Sequence, residues 1–427
     1  MSNDKFLEKL EIKHFLSLEN IILNIKPFMV ITGDMGSGKS LLIKLLEFFE
    51  TIFTRWLGSL YENFLDNLDF DNFCANTASK FKDRFHLDTE LFDVSYRCSF
   101  GKTVLDIRLF RNKGDKDISM ESGFLKKELP EWKKYCQSQN HETPDGRNTT
   151  KKEIYELLSK KFGGYYPIAT TYVPAARATL AITELNKPGF WDYYLDEFNN
   201  LADFILKRNP NQEYENKIKD ILKAKMKING MIQLVSDDDR VVNLANASSG
   251  QQEVFYILLL LSRLSSFKYN YGKQYYIFME EPETHLFPLE QKLALELICK
   301  IFNDNNYDVS ELPIKFFITT HSPYVLNTIN NMLLKGSIEN KIFDNEKLKK
   351  YAERKLNDNK IKKIPNLDYE KTSVVFINKK GGADNILTKY KENYLIDPDE
   401  INKISIDIMD EYNFLDNLND ELRNKDD

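Results

Sequence analysis

Residues 33–40 read Gly33-Asp34-Met35-Gly36-Ser37-Gly38-Lys39-Ser40. The spacing of glycine, four residues, glycine, lysine and serine is that of a phosphate-binding loop. Its glycines let the backbone curl so that successive N–H groups face inward, and a helix that follows points its positive end at the bound anion. Lys39 has the reach for the β- and γ-phosphates, and the Ser40 hydroxyl can ligate Mg²⁺. The flanks supply the context such a loop needs. Phe28 to Thr32 is short and almost continuously apolar, as in a strand buried on both faces of a sheet. From Lys39 onward Leu41, Leu42, Leu45, Leu46 and Phe49 recur at helical spacing. Residues Gly33 to Leu41 are therefore the expected cradle for ATP, with Mg²⁺ at Ser40.

Working outward, Leu7–Phe15 and Leu18–Ile25 read as strands. Aromatic and aliphatic residues at helical intervals over 51–90 (Phe53, Trp56, Leu60, Tyr61, Phe64, Leu68) predict a helical insertion. Phe92–Phe100 and Thr103–Phe110 alternate about Gly101-Lys102, a hairpin signature. Residues 113–165 are polar and broken by Gly114 and Pro130, which predicts a loop insertion with a short helix. An apolar strand over Tyr166–Val173 ends at Pro174-Ala175-Ala176-Arg177. Residues 181–226 read as a charged helical insertion, interrupted near Asn209-Pro210, and Met231–Val235 with Arg240–Leu244 as a second hairpin. A helix over Val254–Leu264, a buried strand over Gln274–Met279, a helix over 288–303 and a strand over Ile314–Thr319 follow. Strands alternating with helices give an α/β fold, here a head spanning 1–345. Residues 346–427, with a basic helical stretch (Lys347–Lys363), a strand at Ser373–Asn378 and acidic helices from Asp399, read as a small α/β extension for subunit or partner contacts.

Composition removes several classes. Of 427 residues, 42% are hydrophobic and 13% aromatic, enough for a large core and against disorder. The 59 Lys+Arg against 65 Asp+Glu leave a charge of −6, which argues against a basic nucleic-acid wrapper. Cys74, Cys98, Cys136 and Cys299 are far apart, so neither a disulfide framework nor a zinc site is readable. Met1–Lys5 lacks a signal-peptide pattern, and the longest apolar run, Val254–Leu261, is too short for a membrane span. The expectation is a soluble cytoplasmic protein.

Three further elements bear chemistry. Tyr275-Tyr276-Ile277-Phe278-Met279-Glu280-Glu281 is an apolar strand delivering two acids to its carboxyl edge, where Glu280 would hold the Mg²⁺ water shell and Glu281 would orient the attacking water and accept its proton. Ala247-Ser248-Ser249-Gly250-Gln251 opens a helix and offers a second anion cradle through Ser248, Ser249, Gly250 and Gln251, although a plain N-cap suits the same residues. One triphosphate does not need two cradles in one chain, so the second implies a nucleotide sandwiched between two copies. His321, directly after the strand Ile314–Thr319, can donate to the γ-phosphate and sense its loss, or be a structural strand-end histidine.

Together, and in this order, these elements resemble the head of an ABC-type P-loop ATPase. Glu280-Glu281-Pro282-Glu283-Thr284-His285-Leu286-Phe287-Pro288, Thr320-His321-Ser322-Pro323 and Tyr172-Val173-Pro174-Ala175-Ala176-Arg177 resemble stretches of its OLD/SMC-like branch. The resemblance implies a mixed sheet with N-terminal antiparallel strands, catalysis by Glu281, His321 and Lys39, metal binding by Ser40 and Glu280, and head-to-head homo-oligomers. Phe15-Leu16-Ser17 departs from the Phe-Arg-Ser of many relatives and lacks their auxiliary arginine. Glu280 stands for the aspartate of transporter-type members, and Ala247 and Ser249 for the leucine and first glycine of their signature. Arg177 is open between a nucleotide or partner contact and a structural salt bridge. A TOPRIM nuclease after His321 would need a strand-borne Glu and a DxD pair; no such Glu is visible, and Asp397-Pro398-Asp399 reads as a turn. The likeness then falls on the ATPase subunit of a PARIS-type anti-phage system, holding a separate TOPRIM-like nuclease effector until a viral trigger protein releases it. Rival readings are a DNA-repair ATPase, for which Lys347–Lys363 is the candidate basic surface, and an ATPase paired with an HNH nuclease, as in Septu-like systems.

Overall fold

The computed structural model describes residues 6–62, 70–137, 153, 156, 160–162, 168–182, 193–207, 211–229, 231–264, 274–306, 314–343, 346–358, 364–390, 393–397 and 411. Two antiparallel strands, Phe6–Phe15 (β1) and Leu18–Asn24 (β2), lead into Phe28–Gly33 (β3) and then the helix Lys39–Glu62 (α1). Helix Phe70–Phe85 (α2) precedes the strands Phe92–Phe100 (β4), Thr103–Arg111 (β5) and Ser119–Glu121 (β6) and the helix Gly123–Gln137 (α3). Next come Ile168–Val173 (β7), a 3₁₀ turn at Ala175–Ala178, the short helix Thr179–Ile182 (α4), and the helices Tyr193–Leu206 (α5) and Gln212–Leu222 (α6). Lys225–Asn229 (β8), Met231–Val235 (β9) and Val241–Asn243 (β10) form a small antiparallel sheet before the helix Ser249–Arg263 (α7). Gln274–Glu280 (β11), Pro288–Asn306 (α8), Ile314–Thr319 (β12) and Pro323–Ile342 (α9) complete the alternation. Glu346–Asp358 (α10), Thr372–Ile377 (β13), Ala383–Asn385 (β14) and the hairpin Leu387–Tyr390 (β15) with Asn393–Ile396 (β16) follow.

The central sheet has the order β14-β13-β3-β12-β11-β7. Its strands β13, β3, β12, β11 and β7 are parallel, with β14 antiparallel at one edge. Both faces are covered, which explains the continuous apolar runs. Met29, Ile31, Tyr276, Phe278 and Phe317 point into one core, shared with α1 and the second sheet, β2-β1-β4-β5-β6. Phe28, Val30, Tyr275, Ile277, Met279, Phe316 and Ile318 point into the other, packed by α5 to α9. The α/β head with N-terminal antiparallel strands thus stands as read from sequence. Topology matters most for one pairing: β12 lies between β3 and β11, so the loops leaving all three strands emerge side by side.

Three segments differ from the sequence reading. Residues 119–137 are not a loop with a short helix: β6 pairs with β5, and α3 runs for 15 residues through Pro130. The second hairpin is a three-stranded sheet, because Lys225–Asn229 pairs with β9. Thr372–Ile377, assigned from sequence to the extension, lies beside β3 inside the head's own sheet. The insertion expected over 51–90 begins as the continuation of α1 and resumes as α2. The acidic helices expected from Asp399 fall outside the described residues except for Glu411, which is helical.

Candidate nucleotide site

Gly33, Gly36 and Gly38 take φ values of 144°, 73° and 99°, a left-handed path that side chains resist. Two of them are also pressed by neighbours. A Cβ on Gly33 would sit 2.2 Å from the Ile377 carbonyl oxygen at the end of β13, and one on Gly38 would sit 2.9 Å from Ser17 Oγ in the β1–β2 turn. Around Gly36 there is open space, and Met35 is fully outside. The loop is therefore walled on two sides and open at its tip. Ser37 Oγ is buried there without a hydrogen-bond partner. Lys39 is 5% exposed and its Nζ donates to the carbonyls of Gly33 (2.9 Å) and Asp34 (2.6 Å). Burial pushes the Lys39 ammonium below its ordinary range, opposed by the charges of Glu281 and Asp34. Ser40 is exposed in the first turn of α1. Leu41 packs against the core, leaving only its main chain for a ligand.

Glu280 closes β11 and is buried, its two oxygens held by the Tyr172 hydroxyl (2.6 Å) and the Ala175 N–H (3.0 Å). Burial first, and Glu280 second, hold the Tyr172 hydroxyl protonated well above its usual range. Glu281 adopts φ 42°, unusual for a residue with a side chain and costing on the order of 1 kcal/mol. The conformation is secured by hydrogen bonds on every side. Its N–H donates to the Thr319 carbonyl and Oγ1 (3.1 Å each), and its carbonyl accepts from Arg177 Nη2 (2.9 Å) and Thr284 Oγ1 (3.0 Å). The left-handed residue turns the Glu281 carboxylate away from the strand, to 3.2 Å from His321 Nε2, and both side chains are about one-third exposed.

Behind this pair lies Glu283, whose Oε1 accepts from the Thr320 hydroxyl and from the His321 N–H (3.2 Å). Its Oε2 is buried and unpartnered, and burial raises its carboxyl against those hydrogen bonds. Arg177, left open by the sequence, is fully buried and reaches no exposed surface. A direct nucleotide or partner contact is excluded in this conformation.

Ser248 caps α7. Its Oγ accepts from Gln251 N (3.3 Å), while Gln251 Oε1 accepts from Ser248 N (3.2 Å), a reciprocal capping box. Gln251 Nε2 donates to the last turn of α6 at the Leu222 carbonyl (2.9 Å). A Cβ on Gly250 would lie 2.6 Å from the His285 carbonyl oxygen, so only glycine lets α7 pack on the turn that follows Glu281. Ser248, Ser249, Gly250 and Gln251 open onto a groove of about 720 Å³ whose other walls include Lys223, His285, Phe287 and Leu289. None of residues 33–41 lines it. The structure thus brings the loop, Glu280, Glu281 and His321 to one sheet edge and places Ser248–Gln251 against the turn after Glu281, on a groove that no residue of 33–41 lines.

The donor sets fit the expected ligands. An unpartnered buried hydroxyl, a tip open at Gly36 and a lysine held by loop carbonyls suit a phosphate chain. Ser40 and Glu280 offer the one or two protein oxygens that Mg²⁺ takes alongside phosphates and water; Glu280, already held by Tyr172 and Ala175, suits contact through water. The sequence reading did not single out Tyr172, Glu283, Thr284 or Gly381, where a Cβ would lie 2.0 Å from the Ser17 carbonyl oxygen. Tyr172 and Glu283 sit inside the quoted segments, but their roles depend on partners 108 and 38 residues away.

A family model described as "AAA domain, putative AbiEii toxin, Type IV TA system" matches residues 28–327, well over half of the chain. No curated protein matches the sequence. Among solved structures, the SMC head domain from Thermotoga maritima is similar at 12% identity and a TM-score of 0.37, over 75% of this chain and 91% of that one. A dimeric bacterial ABC transporter cassette gives 10% and 0.33, over 90% and 100%. The recombination mediator protein RecF gives 11% and 0.36, over 90% and 99%. With TM-scores this low, the assignment stands on the family match and the site's own geometry. Among the described residues no helix is long and apolar enough to cross a membrane.

Proposed function

The chain belongs to this AAA-domain family, and from that footing we propose that it is an ATPase whose nucleotide is clasped between two copies and whose turnover switches a partner protein. The observation that carries the proposal is the Glu281–His321 pair, 3.2 Å apart, at the same sheet edge as a Gly33–Ser40 loop whose lysine is close enough to feel the Glu281 charge.

Each residue then has a task. Lys39 exchanges the carbonyls of Gly33 and Asp34 for phosphate oxygens, and Ser37 Oγ and the loop N–H groups find acceptors. Mg²⁺, held by Ser40 and through water by Glu280, would neutralise charge building on the phosphates. Glu281 orients the attacking water and takes its proton. His321 donates to the γ-phosphate and loses that contact on cleavage. Ser248–Gln251, absent from their own chain's phosphate loop, cover the nucleotide of the second copy. Closure on ATP and release after hydrolysis give two interface states, and any partner that prefers one shifts the balance.

The family's description ties it to toxin–antitoxin systems. That supports a role in bacterial anti-phage defence, with the ATPase holding a separate effector, a TOPRIM-like nuclease, until a viral trigger protein arrives, as in PARIS-type systems. One observation favours a repair-type alternative: Lys347, Lys349, Lys350, Arg354 and Lys355 are all exposed on α10. A DNA affinity that falls steeply with salt would support it. The central test mixes two inactive proteins. Ser248→Arg blocks the lid and Glu281→Gln removes the base, so a mixed dimer keeps one intact composite site. Recovery of ATP hydrolysis on mixing is expected; no recovery at any ratio rejects the shared site.

A further inference from the structure

We propose that Arg177 is a positioning residue that ties the Ser248 helix to the catalytic turn and, through that tie, sets Glu281 for chemistry. The inference rests on the two-copy ATPase reading and adds what holds the base in place within each chain.

The guanidinium is fully buried, yet it spends its donors on main-chain carbonyls. Nε donates to Glu253 O (3.0 Å) in the second turn of α7. Nη1 donates to Pro174 O (3.1 Å) and Glu280 O (2.8 Å), and Nη2 to Glu281 O (2.9 Å). Glu253 Oε2 is 3.4 Å from Nε, but that oxygen has no hydrogen bond, so the pair is an ionic contact beside the real bonds. An arginine present only to balance charge would meet a carboxylate fork to fork. Here a rigid, planar group with five N–H donors joins the end of β7, the start of α7 and the end of β11. A lysine ammonium is a point with three donors and cannot span them.

A second contact joins the same two bodies. The Gly250 backbone of α7 lies against the His285 carbonyl, in a turn whose ends, Glu281 and His285, both have positive φ (42° and 61°). Glu283, within that turn, accepts from the His321 N–H. A displacement of α7 therefore reaches the Glu281 carbonyl through Arg177 and the turn through His285, and the turn carries His321 with it. Close-packed groups of this kind pass small shifts on as discrete rearrangements.

Full-length Arg177→Lys and Arg177→Gln test the inference by a split between binding and turnover. ATP affinity, read with a fluorescent ATP analogue, should stay within about twofold of wild type, because no loop residue is touched. The turnover number should fall on the order of tenfold or more through misplacement of the base. Adding Glu281→Gln protomers, which supply intact lids, should stimulate Ser248→Arg but not a Ser248→Arg/Arg177→Lys double variant. Wild-type turnover in both Arg177 variants, stimulation of the double variant, a parallel loss of ATP binding, or loss of a cooperative thermal transition in both variants would each overturn the positioning role. If Ser248→Arg itself is not rescued, the two-copy reading fails and this inference falls with it. Rescue of Ser248→Arg together with rescue of the double variant rejects the Arg177 role alone.

Discussion

Two helix starts in this molecule look alike in sequence and differ in their state of satisfaction. At the start of α1 the polar groups are left wanting: Ser37 Oγ has no partner, the Gly36 tip is open, and Lys39 is buried on carbonyls of its own loop. At the start of α7 the corresponding groups are already paired, through the Ser248–Gln251 box and the Gln251–Leu222 bond, beside the exposed Phe287 and Leu289. The first has donors free for the triphosphate proposed to bind there. The second has fewer groups left to offer, which fits the lid proposed for it, engaging an anion presented from outside and letting go easily. A helix N-terminus attracts anions in general; what its own side chains already occupy decides whether it is a seat or a cover.

That contrast can be broken by substitutions at the two ends. The largest effect is expected at the seat's chemistry: Glu281→Gln should lower turnover by about 10³-fold while ATP remains bound, measured as phosphate release against nucleotide retention. Lys39→Ala comes next, with ATP affinity weakened about 100-fold in a direct binding titration, because a buried cation to the phosphates is lost. At the cover, Gly250→Ala should leave ATP affinity near wild type and lower turnover about tenfold, since a methyl group 2.6 Å from the His285 carbonyl must push α7 off the catalytic turn. An equal loss of affinity would mean that α7 belongs to the seat of its own chain.

The smallest expected effect is a control that touches neither end. Asp93 accepts from Arg108 through both oxygens (2.8 Å each) and from Lys13 (2.7 Å), and Arg108 foremost pulls its carboxyl down to about 2. A folded value below the unfolded one, about 3.9, adds stability that is complete above pH 4 and lost as pH falls from about 4 to about 2. Asp93→Asn should therefore cost about 1 kcal/mol at pH 7, after allowance for screening. The gap from wild type should close by about pH 2 in thermal melts, with ATP turnover per folded molecule unchanged at pH 7.

The central strands and the loop were legible because their signals are local: an apolar run, a glycine spacing, a helical period. The misread segments lacked such signals. Helix α3 starts at a glycine and runs through Pro130, two residues that mark breaks, and β6 is only three residues long. In β8, Met226 and Ile228 alternate with lysines over too short a span to register beside a helical pattern. The place of β13 next to β3 is a matter of sheet order, which residue periodicity does not encode. Within the site, the residue types to which chemistry is assigned under the proposed function, Lys39, Glu280, Glu281 and His321, were readable. The supports were not: Arg177 joins carbonyls from three segments, and Glu283 and Tyr172 gain meaning only from distant partners.

The claim that one copy seats the nucleotide and another covers it is tested most directly by particle mass in solution. Glu281→Gln protein should gain mass by pairing of chains on addition of ATP and Mg²⁺, and the Glu281→Gln/Ser248→Arg protein should bind ATP without pairing. Identical masses for the two ATP-loaded proteins would contradict it.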